Sequence, residues 1–201
     1  MPTIVIASNN KHKVTEICQI LDFDGWEFKT LEEMGITSDP EEDADSFEGN
    51  ARIKAQAVKA LCPQCAVLAD DSGLVVDALD GRPGVYSSRF AGENSTDAQN
   101  NALLLSELEG VEEQERTARF VCTIVFYDET GHEYVAQGSV EGLIGYKECG
   151  EGGFGYDPLF YPDVFNHECT LAQVAPEDKN SVSHRGNALR KLKEMVQKSQ
   201  A

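Results

Sequence analysis

A short β-branched apolar run, Thr3 to Ala7, opens the chain and stops at Ser8-Asn9-Asn10, after which the period of the apolar positions changes. Val14, Ile17, Cys18 and Leu21 then recur at i, i+3, i+4 and i+7, which predicts a helix with one apolar stripe that ends before Gly25. A second helix is expected from the Asp45/Glu48 capping box to about Leu61, with Phe47, Ala51, Val58 and Leu61 inward. Ala66 to Ala69 and Leu74 to Val76 read as two short buried strands separated by a turn at Asp70-Asp71-Ser72-Gly73. Thr96 and Gln99 form another capping box, followed by Ala98, Ala102, Leu105 and Leu108 at helical spacing and a stop at Gly110. Thr117 to Asp128, the turn Glu129-Thr130-Gly131, and His132 to Val140 make the clearest hairpin. A last helix places Ala188, Leu189, Leu192, Met195 and Val196 on one side, capped at Ser181 or Ser183. Helices interspersed with strands and one hairpin indicate a mixed α/β fold.

Charge narrows the choice of ligand. The 201 residues, enough for a single domain over 1–201, carry 17 basic and 35 acidic side chains, a net charge of −18. Such a field argues against a nucleic-acid polymer or an anionic membrane as partner. A phosphate ligand would need clustered lysines and a bound cation to reverse the sign locally. The N-terminal apolar run is too short for a signal peptide and no stretch approaches a membrane span, so a cytoplasmic protein is expected. Six scattered cysteines fit reduced thiols that serve as small hydrophobes. Cys62-Pro63-Gln64-Cys65 matches the CxxC pattern, yet it follows a helix instead of opening one, and nothing completes a zinc set.

Against that background five stretches carry candidate chemistry. Asp70 and Asp71, adjacent at the end of a buried run, are costly to desolvate together, which points to a divalent cation such as Mg²⁺; ordinary turn chemistry is the bland alternative. A sharper rival is the Asp-Ser-Gly of aspartic proteases, which a single copy supplies only in a homodimer. Lys11 and Lys13 stand on the first turn of the first helix, and His184 and Arg185 on the first turn of the last, where the helix dipole favours an anion; pairing with nearby acids is the plainer reading. Residues 38 to 48 hold six acids out of eleven, by default a solvated loop and otherwise a source of a further metal ligand. Gly150 to Gly155, GEGGFG, matches G-x-G-x-x-G, but Tyr156-Asp157-Pro158 blocks the helix that a dinucleotide fingerprint requires. Its glycines imply that something approaches the backbone closely, a flat ring beside Phe154 or Tyr156 being one candidate.

Taken in order, six pieces of the chain resemble the inosine triphosphate pyrophosphatase family, in its bacterial form. They are Ser8 to Lys13 with Glu16, Phe47 to Ala51 with Lys54 and Ala55, Ala69 to Leu74, Gly84 to Arg89, Gly152 to Pro158, and Ser183 to Gly186. The resemblance implies a long curved central sheet with flanking helices in two lobes around a cleft, commonly as a homodimer. It also implies Mg²⁺-dependent hydrolysis of non-canonical purine nucleotides (ITP, dITP, XTP) to monophosphate and pyrophosphate. By the same likeness Ser8, Asn9, Asn10, Lys11, His12 and Lys13 would hold the triphosphate. Asp71 would be general base and metal ligand, with Glu41 as the second ligand and Glu42 behind it. Ser72 would touch substrate, Phe154, Gly155, Tyr156 and Asp157 would bound the nucleoside, and Lys179, His184 and Arg185 would contact the nucleotide and its base. Many relatives have Thr-Gly-Asn where this chain has Ser8-Asn9-Asn10, a change that asparagine's tolerance of left-handed geometry should absorb. The alternative within the same broad fold is a Maf-like pyrophosphatase acting on modified pyrimidine nucleotides.

Overall fold

The structure is a computed structural model and describes residues 3–21 and 26–199. Among the described residues six strands form one mixed sheet in the order β2-β1-β3-β4-β5-β6. They are β1 (Thr3–Ile6), β2 (Glu27–Thr30), β3 (Ala66–Val76), β4 (Thr117–Tyr127), β5 (Glu133–Ile144) and β6 (Phe160–Pro162). β1 pairs parallel with both β2 and β3, and β5 pairs antiparallel with β6. The described residues also form the helices α1 (Lys11–Ile20), α2 (Phe47–Leu61), α3 (Asp97–Glu107), α4 (Pro176–Val182) and α5 (His184–Ser199). The described chain gathers into two compact units. The first takes the chain through Asp71, then Cys122–Gly138 and the part from Arg185 onward; the second takes Ser72–Val121 and Ser139–His184.

In the first unit both faces of the sheet are covered at β1 and the start of β3, so Ile4–Ile6 and Ala66–Ala69 are apolar at every position, as parallel strands buried on both sides must be. Ile4, Ile6, Ala66, Leu68, Cys122 and Ile124 face α1 and α5 through Ile17, Leu21, Ala188, Leu189 and Leu192. Val5, Ala7, Val67, Ala69 and Val125 face α2 through Ala51, Ala55 and Val58. In the second unit Leu74, Val76, Leu104, Leu108, Phe120, Ile144 and Phe160 form a separate core.

Several expectations shift by small amounts. The second helix is capped by Ser46, whose hydroxyl accepts from Gly49 N–H, so the Asp45/Glu48 box is not the start. Cys18 and Leu61 are exposed, and Met195 is 39% exposed, leaving Ala188, Leu189, Leu192 and Val196 as the inward stripe of α5. The Thr96/Gln99 box is present, but α3 buries Asn100, Asn101, Leu104 and Leu108, not Ala98 and Ala102. Its asparagines turn inward because they hold loops: Asn100 Oδ1 accepts from Ala91 N–H at 2.8 Å. The helix stop expected at Gly25 lies outside the described residues. The CxxC cysteines, Cys62 and Cys65, are joined as a disulfide across the α2–β3 turn, in place of the reduced thiols expected. The close approach to the glycine-rich stretch is made by backbone: Gly152 N–H donates to Ala172 O at 3.0 Å, and a Cβ on Gly150 would lie 2.6 Å from that carbonyl. Among the described residues no helix is long and apolar enough to cross a membrane.

Candidate active site

Residues 66–76 form one continuous strand, and the turn expected at Asp70-Asp71-Ser72-Gly73 does not form. The turn reading relied on Asp and Ser bonding their own backbone; here both carboxylates are bound by side chains distant in sequence. β1 stops at Ile6 while β3 runs on, and continuing the register beyond Ile6↔Leu68 brings Ser8 level with Asp70. The β1–α1 loop therefore lies beside the acids, at the carboxyl end of β1 where the parallel β3 runs on, and the carboxyl ends of strands are where open α/β sheets build sites.

Successive side chains of a strand point to opposite faces, so the adjacent acids do not form a pair. Asp70 is buried on the α1/α5 face, where Lys13 Nζ lies 3.3 Å and Arg185 Nη2 3.0 Å from its Oδ2. Arg185 also bonds Glu16, one turn along α1 from Lys13. Burial opposes ionisation of Asp70, but Lys13, Arg185 and Lys54 overcome it and hold the carboxyl far below the usual carboxylate range. Behind it, burial first and the Asp70 charge second push the Cys122 thiol up to about 12, so it stays a thiol, 3.9 Å from Asp70 Oδ2.

Asp71 faces α2. Its Oδ2 accepts from Asn50 Nδ2 at 3.3 Å and its Oδ1 meets Lys54 Nζ at 3.2 Å. Lys54 Nζ also lies 2.8 Å from Glu42 Oε2, so one ammonium joins two carboxylates. Burial raises the Asp71 pKa, Lys54 and Lys13 offset part of the rise, and the charges of Glu42 and Asp70 add to it. The result is a carboxylate more basic than an ordinary one, as a general base acting near neutral pH requires.

The acid that meets this cluster is Glu42; Glu41, the first choice from sequence, is exposed. Among the described residues no three His, Cys, Asp or Glu side chains gather as a metal cage. Two carboxylates converging on one cation nevertheless suit Mg²⁺, which takes one or two carboxylates and fills its other positions with water and substrate phosphate. Sequence reasoning passed over Asn50 and Lys54 as functional groups. Their signal was present: at i and i+4 on α2 they border the inward stripe Ala51, Ala55 and Val58, where a lysine would otherwise be misplaced.

The start of α1 is built by Asn10, whose Oδ1 accepts from His12 N–H at 3.0 Å and Lys13 N–H at 3.2 Å. Two of the backbone donors expected to face an anion are therefore already bonded, which leaves side chains to do more of the binding. Lys11 and His12 are exposed, whereas Lys13 reaches inward to Asp70. Ser8 Oγ accepts from Asn10 N–H at 3.2 Å. Asn9 is absent from the residues with positive φ, so no left-handed geometry was needed; its Nδ2 donates to Ser38 O at 3.0 Å and ties the loop to the acidic segment.

In the second unit, which Ser72 begins, the glycine-rich stretch closes on Asp157. This buried carboxylate accepts from Phe154 N–H at 2.9 Å and from Lys179 Nζ at 2.6 Å. Lys179 Nζ lies 4.8 Å from the centre of the Phe154 ring, a cation–π arrangement. Gly155, with φ of 62°, bonds α3 through both its N–H and its carbonyl. Tyr156 is a core residue, its hydroxyl donating to Ser87 O at 2.8 Å. The buried His184 ring stacks on Phe120 with centroids 4.9 Å apart. Arg185, expected at the base, has its guanidinium committed to Asp70 and Glu16 within the first unit.

A Ham1 family model matches residues 4–195. A protein of Desulforamulus reducens named dITP/XTP pyrophosphatase is 49% identical over 193 residues, covering 96% of this chain and 94% of the relative. The Bacillus subtilis protein of the same name is 44% identical, with 98% of each chain covered. Among solved structures, a HAM1 protein from Coxiella burnetii superposes with a TM-score of 0.87 at 38% identity, covering 98% of this chain and all of that one. The Staphylococcus aureus Ham1 protein gives 0.86 at 39% identity, with 98% and 99% covered. Two carboxylates on opposite faces of one strand, each matched to lysine or arginine from a different helix, are thus set in a chain that aligns almost end to end with these proteins, and it belongs to the Ham1 family.

Proposed function

We propose that the protein is a nucleoside-triphosphate pyrophosphohydrolase that converts non-canonical purine nucleotides, ITP, dITP and XTP, with water to the monophosphate and pyrophosphate. The observation that carries this reading is the buried, basic Asp71 carboxylate bonded by Asn50 and Lys54 with Glu42 beyond. The relatives' names, dITP/XTP pyrophosphatase, favour purine substrates over the pyrimidine nucleotides of a Maf-like enzyme. The dimeric protease reading is disfavoured, because Asp71 is bonded by Asn50 and Lys54 within the chain and the relatives are named pyrophosphatases.

In this reading Asp71 orients a water and takes its proton as the oxygen attacks the α-phosphorus. The bond from that phosphorus to the bridging oxygen breaks, and pyrophosphate leaves with the bonding pair. Asn50 fixes the carboxylate's direction. Lys54 and Lys13 place positive charge where negative charge grows on the phosphates, a contribution that is largest in the transition state. Lys11 and His12, exposed at the helix start, supply further donors. Glu42 and Asp71 would hold Mg²⁺, which when bound withdraws charge from phosphate oxygens. The nucleoside roles of Phe154, Asp157, Lys179 and His184 follow the family likeness. So does a homodimeric state, whereas a cytoplasmic location rests on the short N-terminal apolar run.

The test is pyrophosphate release from inosine, xanthosine, guanosine, adenosine and pyrimidine triphosphates. Hydrolysis of ITP and XTP is expected to exceed that of ATP by roughly 10²-fold or more in kcat/KM, the scale of a site matched to a 6-oxo base. Excess chelator should abolish turnover, and Mg²⁺ should restore it. Undiminished hydrolysis in chelator removes the metal from the scheme, and a preference for pyrimidines returns the Maf-like alternative.

A further inference from the structure

We infer that Asp97 and Asn101 on α3 are positioning residues that hold the Phe154–Gly155 segment and thereby set how tightly the enzyme takes its nucleoside, an inference that rests on the reading above. The Thr96/Gln99 capping box fixes where α3 begins. Asp97 and Asn101, four residues apart, therefore lie on one face of the helix. That face meets Gly155 on both sides of its Cα: Gly155 N–H donates to Asp97 Oδ2 at 2.7 Å, and Asn101 Nδ2 donates to Gly155 O at 3.2 Å. Asn101 is buried, and the same amide nitrogen donates to Glu148 Oε1 at 2.8 Å, which fixes its orientation.

The segment needs such ties. Four of the six residues from 150 to 155 are glycine, and the φ of Gly155 is 62°, a left-handed geometry, so the free backbone has many conformations to lose. One end of the segment is bonded at Phe154 N–H by Asp157. The two α3 side chains fix the next two peptides, one on each side of Gly155 Cα, and the three together hold the Phe154 ring at its place beside Lys179. If the α3 ties are cut, ordering the segment becomes a cost met when nucleotide binds. That cost falls on ground state and transition state alike, so it raises KM and leaves kcat nearly unchanged.

The experiment measures ITP hydrolysis by full-length Asn101→Ala, Asp97→Ala and Asp97→Asn, with thermal melting alongside. Asn101→Ala and Asp97→Ala are expected to raise KM about tenfold, with kcat within about threefold of wild type, the scale of losing pre-organisation at a few side chains. Asp97→Asn should restore a near-wild-type KM, because its amide oxygen still accepts from Gly155 N–H. Should Asn101→Ala fail to fold, the Asp97 pair decides alone, since Asp97 is exposed and its loss leaves the core intact. An unchanged KM in Asp97→Ala, or a fall in kcat without a rise in KM, overturns the inference while the hydrolase reading stands. A wild-type enzyme that releases no pyrophosphate from any nucleotide overturns both.

Discussion

Asp71→Asn is expected to lower kcat for ITP by about 10² to 10⁴-fold, the range for loss of a general base, with KM changed far less. The asparagine keeps the shape and the 3.3 Å contact to Asn50, but it cannot take a proton and removes one of the two charges converging on Lys54. Lys54 is then left beside Glu42 alone, so its charge remains available to phosphate. Asp70→Asn provides the contrast. It lies on the other sheet face among Lys13 and Arg185 and should act mainly through the placement of those groups. If Asp71→Asn stays within about threefold of wild type, a general base is excluded at this position, because that role is worth far more.

That contrast could not be read from sequence. Two adjacent acids were legible as a costly feature, and the buried strand flanking them was legible from its apolar run. Their separation depended on whether residues 70–73 turn or extend. Local propensity favours a turn, but Lys13, Arg185, Asn50 and Lys54, which reach the carboxylates from three helices, stabilise the extended form. No local window contains those partners. Helices α1, α2, α3 and α5 were visible from their spacing, whereas the seven-residue α4 was missed, as were β2 and β6, each short, four and three residues, and placed by pairing with a neighbour. Glu42 and Glu41 are chemically identical in sequence, and only the position of Lys54 on α2 distinguishes them. Asn100 and Asn101 drew no notice in the sequence, since the loops they bond lie elsewhere in the chain. Basic residues at two helix starts were rightly singled out as unusual. For Arg185 and Lys13 the structure supplies buried carboxylate partners, the plainer of the two explanations weighed.

Arg185→Met should destabilise the fold by about 3–5 kcal/mol at neutral pH, the cost of leaving a buried charge without its partner. Asp70 would keep Lys13 but lose its two guanidinium bonds, and Glu16 would lose its buried cation as well. The double variant Asp70→Asn/Arg185→Met should recover part of this, with a coupling of about 0.5–3 kcal/mol, because it removes the uncompensated charge at the strand. The pH dependence gives a second readout. Asp70's folded-state pKa is depressed, its burial outweighed by Lys13, Arg185 and Lys54, so its contribution is complete above the unfolded value of about 3.9. It is lost as pH falls from there through the folded-state value, since the unfolded chain then binds the proton more readily. Wild type should therefore lose stability between pH 5 and pH 3, and Arg185→Met, whose Asp70 titrates nearer the ordinary range, should lose less over that interval. Urea unfolding at both pH values measures both effects. A variant within about 1 kcal/mol of wild type at pH 7, well under the cost of a broken buried pair, would show that Lys13 alone suffices to hold Asp70 ionised.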